Sequence, residues 1–158
     1  MNNPFQPPRS GFEKPPRDRE PGSLFKAVVV GVAIDIGGTI AGGLILGILY
    51  HIAHAARGLS SAQIQALLET ANPFDTFRIL GMALGLAMSV LGGFFCARTA
   101  NVNSYTAVGI VSAISVTVGT LNGAGEYDWS TLLVLNLLGL VCIFVGGWWF
   151  IRKLETER

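Results

Sequence analysis

Charge is what this sequence has least of. Only 13% of its 158 residues are Asp, Glu, Lys or Arg, where a soluble domain carries about 25%. Between Lys26 and Arg57 the single charged residue is Asp35, and between Arg78 and Arg98 there is none. Such stretches leave too few charged side chains for the polar outer faces of water-soluble helices. Cysteine is scarce too: Cys96 and Cys142 are far apart, each inside an apolar run. That spacing excludes a disulfide framework and a cysteine metal site and points to buried, inert thiols. Nucleophile–base pairs and paired carboxylates at membrane depth are also lacking, so no enzyme and no cofactor are expected. Glu126 and Asp128, two apart in a glycine-containing loop, read as a solvated turn. The two halves of the chain show no internal repeat.

What the chain has is apolar side chains, at 51%, and 20 glycines. The stretch Gly81–Ala97 sets the pattern. Gly81, Gly85, Ser89, Gly93 and Ala97 recur every fourth residue, which on a helix is one stripe. Leu, Met, Val and Phe fill the positions between, and no charge appears before Arg98. A small-residue face on an otherwise apolar helix is the pattern of packing within lipid, where small side chains let backbones approach. About 20 residues cross the hydrocarbon core, and four runs meet that length: about 27–51, 77–97, 105–121 and 132–151. The first is too long for a signal-peptide core and follows a long tail, so it reads as an uncleaved span. It carries its own small-residue pattern, Gly38, Gly42, Gly43 and Gly47. The third is rich in Ser, Thr and Val, but a lone strand cannot satisfy its backbone in lipid, so it also reads as a helix. The fold class expected is all-α, an integral membrane four-helix bundle over 24–153, with a short tail at 154–158.

Residues 1–23 hold six of the seven prolines and no hydrophobic period. They read as a disordered tail of polyproline character with weak attraction for anionic lipid. In the 52–75 loop, Ser60 and Gln63 form a capping-box pattern. Ile64, Leu67, Leu68 and Ala71 then share a face, and Asn72-Pro73 ends the segment. This is a short amphipathic helix lying on the membrane surface or over the bundle end, on the periplasmic side.

Orientation follows from the basic residues. With the amino terminus inside, nine of the eleven Lys and Arg lie on the cytoplasmic side, and only Arg57 and Arg78 on the other. That bias predicts both termini in the cytoplasm of a multi-pass protein of the bacterial inner membrane. Trp148, Trp149 and Tyr105 at one end, and Tyr50, Tyr127 and Trp129 at the other, sit where interfacial aromatics belong.

Asp35 is the one acid well inside a span, about 13 Å along the helix from Lys26. An ionisable side chain at that depth marks a functional site by default. No Lys or Arg lies at matching depth elsewhere. Ser89, Ser112, Ser115 and Cys142 are the polar side chains nearest its level. Two readings stay open: a proton or cation site with Ser112 and Ser115, or a protonated carboxyl that bonds two helices together. The string Asp35-Ile36-Gly37-Gly38-Thr39 matches the phosphate-loop motif of sugar kinases of the actin-like fold. That motif needs a strand and a turn, and a membrane helix excludes it. His51 and His54, three apart, read as interfacial anchors, with no metal expected. Asn136, with Gly139, Ile143 and Gly146, marks a packed seam with an interhelical hydrogen bond.

The segment Gly92-Gly93-Phe94-Phe95-Cys96-Ala97-Arg98, followed by a short polar turn, resembles the end of span two in small uncharacterised four-span bacterial inner-membrane proteins. The resemblance covers about a fifth of the chain and implies no activity. Two functions are therefore expected to compete. One is a structural or accessory membrane protein, packing with itself or a membrane partner through glycine faces (Gly38, Gly42, Gly81, Gly85, Ser89, Gly93, Asn136). The other is a small transporter or channel subunit with Asp35 as its ion site. Membrane lipids are the surroundings, and no nucleic-acid partner is expected.

Overall fold

The computed structural model describes residues 22–70, 75–101, 104–125 and 127–156. The expected disorder of the tail therefore lies, up to residue 21, outside the described residues, as do Asn72-Pro73, Glu126 and the last two residues. The described chain is mostly helix, with four helices long and apolar enough to cross a membrane: Leu24–Ala55, Thr76–Ala100, Ser104–Gly123 and Trp129–Lys153, the last continuing to Thr156. It is an all-α bundle and a multi-pass membrane protein. Each span exceeds its apolar run by a few residues because polar side chains cap the ends. Ser23 Oγ accepts from the Lys26 amide at 3.4 Å at the start of span one. Asp75 accepts from Phe77 at the start of span two, and Asp128 from Thr131 at the start of span four. Gly58, at φ 84°, closes span one with its amide on the Ala55 carbonyl. Asn101, at φ 57°, ends span two, and Ser104 Oγ bridges that turn by donating to the Ala97 carbonyl at 3.0 Å.

The tail boundary shifts slightly. Gly22 and Ser23 belong to the fold, because a Cβ on Gly22 would fall 2.0 Å from the Thr99 carbonyl oxygen. The chain enters span one pressed against the end of span two.

The connecting helix, Ser61–Thr70, forms as its capping box dictates. The Ser60 amide donates to Gln63 Oε1 at 2.9 Å, and the Gln63 amide to Ser60 Oγ at 3.4 Å. Ile64 is buried, whereas Leu67 points outward, so the inner face is narrower than the sequence pattern implies. The Arg78 guanidinium donates to the Leu68 carbonyl at 3.2 Å and ties the helix to span two.

Packing is uneven along the bundle. The core is Ala27, Cys96, Ala97, Ala100, Ala107, Val108, Val111 and Ile143. All of these lie toward the end where span one begins and span four finishes. Small side chains dominate, so the backbones come close. The closest crossing joins spans two and four: a Cβ on Gly93 would lie 2.0 Å from the Ile143 oxygen, and one on Gly146 would lie 1.9 Å from the Val90 oxygen. Toward the other end spans one and two stay in contact at Gly42 and Leu84, and spans three and four at Gly123 and Leu132. From Gly38 to Ala55, span one buries no residue.

Candidate functional site

Asp35 sits between the core end of the bundle and the half of span one that buries no residue. The helix widens there into one turn of π-helix, Ala33–Gly37. A π-turn fits one extra residue into the ladder and re-aims a side chain, which is why such turns recur at functional sites. Here the turn directs Asp35 inward, leaving it 4% exposed. The Thr39 hydroxyl donates to the Asp35 main-chain carbonyl at 2.6 Å and satisfies the widened turn.

The carboxylate takes its hydrogen bonds from two other spans. Ser89 Oγ donates to Oδ1 at 2.7 Å, and Ser115 Oγ donates to Oδ2. One side chain thus joins three helices. Close approach on the span-two side depends on Gly92, whose Cβ would meet Asp35 Cβ and the Gly31 oxygen, each at 2.9 Å. The diglycine is therefore two-sided: Gly92 admits span one at Asp35, and Gly93 admits span four at Ile143.

Asp35, Ser89 and Ser115 form the floor of an open cleft of about 350 Å³. Its walls are mostly Leu, Ile and Val from all four spans, with Thr39, Asn122 and Asn136 as further polar groups. Among the described residues, Asp35 is the only ionisable side chain in the lining. Asn136 Nδ2 donates to Thr120 Oγ1 at 3.1 Å, joining spans three and four. Gly119 leaves room for it, since a Cβ there would fall 2.7 Å from Asn136 Oδ1.

Two of the three residues expected at the polar site come together, Asp35 and Ser115. Ser112 does not join them: it is buried on the same span, with its hydroxyl on the Val108 carbonyl at 2.9 Å. One turn of helix separates a serine that reaches span one from a serine that bonds its own backbone. Ser89, read as part of a packing stripe, is a full member of the site. Gly92, Gly31 and Thr39 are members that sequence reasoning missed. Their signal was present in the spacing, because Gly31 and Asp35 are one turn apart, as are Ser89 and Gly92.

The expected glycine stripe of span two divides. Gly93 is used for packing, whereas a Cβ on Gly85 would make only an ordinary contact of 3.7 Å with Thr39, and one on Gly81 would meet nothing within 4 Å. In span one, Gly38 and Gly42 face Met88 and Leu84. Of the residues expected to form one seam in span four, Ile143 and Gly146 meet span two and Asn136 meets span three, while Gly139 faces the cleft with open space around it.

His54 Nδ1 lies 3.0 Å from the Tyr50 carbonyl, and its ring is 4.1 Å from the Tyr50 ring. Among the described residues no group of His, Cys, Asp and Glu is arranged to hold a metal ion. Asp35 to Thr39 is helical throughout, unlike a phosphate loop. At the opposite end, the Arg152 guanidinium lies 5.0 Å over the Trp148 ring, joining the positive and aromatic anchors of span four. Comparison with protein-family models, curated proteins and solved structures found no match.

Proposed function

We propose that the chain is a structural or accessory protein of a bacterial inner membrane, with both termini in the cytoplasm, that associates with a second copy or another membrane protein through glycine faces. The observation that carries this reading is the set of glycines its own packing leaves unused. Gly43 and Gly47, one turn apart on span one, have nothing within 4 Å of where a Cβ would stand, and neither does Gly81. Gly43 and Gly47 lie on the half of span one that buries nothing. Small residues favour helix association in lipid where a second backbone reaches them. The test replaces Gly43 and Gly47 together by Leu and measures particle mass in detergent and cross-linking in membranes. The reading expects a lighter particle and lost cross-links, with the fold intact. An unchanged mass and unchanged cross-links would refute it.

A second reading is favoured by a different observation, the placement of Asp35 at the floor of the cleft. A carboxylate there supports a small transporter or channel subunit with Asp35 as its proton or cation site. Four spans are few for one transporter, so this reading also calls for an oligomer. Asp35→Asn separates the two: it abolishes ion passage in proteoliposomes if the second reading holds and leaves particle mass alone if only the first does.

A further inference from the structure

We infer that the cleft above Asp35 is a binding site for a monovalent organic ammonium ion with an apolar body. The inference rests on the second reading, that Asp35 is a ligand-binding group, and names the class of ligand. Its first support is charge. Among the described residues the lining holds one carboxylate and no Lys, Arg or His, which favours a cation over an anion. Its second support is acceptor capacity. A carboxylate offers about four acceptor positions, and the hydroxyls of Ser89 and Ser115 occupy one on each oxygen. Acceptor positions remain for N–H donors in the cleft.

The third support is the walls, which decide against a bare metal ion. Calcium and magnesium call for about six or more oxygen ligands. The floor supplies two carboxylate oxygens and two serine hydroxyls, and the side chains above are mainly aliphatic. An ammonium group needs only a few acceptors, and its hydrocarbon body would cover the aliphatic walls. The volume of about 350 Å³ is within the ~300–1,000 Å³ of small-molecule sites, which pair an apolar lining with few polar groups. Asn122 and Asn136 add polar groups to the wall, and the amide nitrogen of each is already bonded, to the Val118 carbonyl and to Thr120.

The test is equilibrium binding of radiolabelled 2-phenylethylammonium to the purified full chain in lipid nanodiscs. Saturable binding is expected, displaced poorly by methylammonium, by sodium and by neutral 2-phenylethanol. Asp35→Asn should weaken it about 30-fold or more, as when one partner of a buried charged pair is removed. Because Asp35→Asn also loosens three helices, Gly139→Leu provides a second arm. Gly139 lines the cleft and has open space where a Cβ would stand, so a leucine there takes up cleft volume while Asp35 is left in place. It should abolish binding while particle mass and thermal stability hold. No saturable binding, equal displacement by sodium or 2-phenylethanol, or full binding by Gly139→Leu would each overturn the inference. Asp35-dependent proton or sodium flux without amine binding would overturn it too, yet leave the ion-site reading standing.

Discussion

Gly146→Ala should separate spans two and four. The added Cβ would stand 1.9 Å from the Val90 carbonyl oxygen and 2.9 Å from the Phe94 amide nitrogen. Both are backbone atoms inside a helix, so no side-chain tip can swing away. A carbon and a carbonyl oxygen settle at about 3.3 Å, so the two backbones must part by roughly 1.4 Å. A gap of about 1 Å already forfeits up to half of a contact's dispersion energy, and the loss extends along the crossing to Gly93 and Ile143. Overpacking of this kind costs about 3 kcal/mol, at the upper end of its usual range, because the obstruction is backbone. For a chain of this size that lowers a thermal midpoint by on the order of 10 °C. The assay is thermal unfolding in mild detergent, read as loss of the monodisperse peak, with SDS titration as an equilibrium check. Gly139→Ala, on the same helix but with nothing within 4 Å, is the control and should be as stable as the parent. If Gly146→Ala matches Gly139→Ala, the crossing is not as close as described and the packing argument fails.

Gly92→Ala should act as a remote lesion of the polar site, because its Cβ would meet Asp35 Cβ at 2.9 Å; proximity labelling between spans one and three should fall, and retained labelling would count against the three-span clamp. Ser89→Ala and Ser115→Ala should each cost about 1–2 kcal/mol in SDS titration, because each leaves a buried carboxylate oxygen short of a donor. Their double variant should not be additive, since both act through Asp35, and strict additivity would mean that the two serines work separately. At the start of span four, the Ser130 hydroxyl, then the hydroxyl and amide of Thr131, hold the Asp128 carboxyl well below the usual carboxylate range. A value lowered by folding means that the cap's contribution is complete above the unfolded value of about 4 and fades as pH falls below it. Asp128→Ala should therefore flatten the acid dependence of the unfolding midpoint, and an unaltered pH profile would contradict the cap.

The four spans were legible because each apolar run is long, free of charge except for Asp35, and bounded by polar or turn residues. The connecting helix was legible at its start, where Ser60 and Gln63 bond locally, but not in its inner face, since which of Ile64 and Leu67 turns inward is decided by what lies beneath. The same division runs through the glycines. A four-residue repeat announces a small-residue face, yet Gly81 and Gly93 belong to one repeat and only Gly93 meets a neighbour. Where spans cross is a property of the pair, and one sequence stripe cannot carry it. Asp35 stood out from its depth alone. That Ser115 would reach it and Ser112 would not depends on how far span three is rotated about its axis and on its height against span one. The π-turn that aims Asp35 inward has no composition signal comparable to a cap or a proline.

The account depends above all on four helices crossing the bilayer, so that the turns alternate between its two faces. Single cysteines at Arg57, Ala124 and Lys153, in a chain with Cys96 and Cys142 replaced by Ala, can be labelled in intact cells with a membrane-impermeant maleimide. Labelling at 57 and 124 with protection at 153 until the membrane is opened is the predicted result. Equal labelling at all three positions, or recovery of the protein from the soluble fraction without detergent, would contradict it.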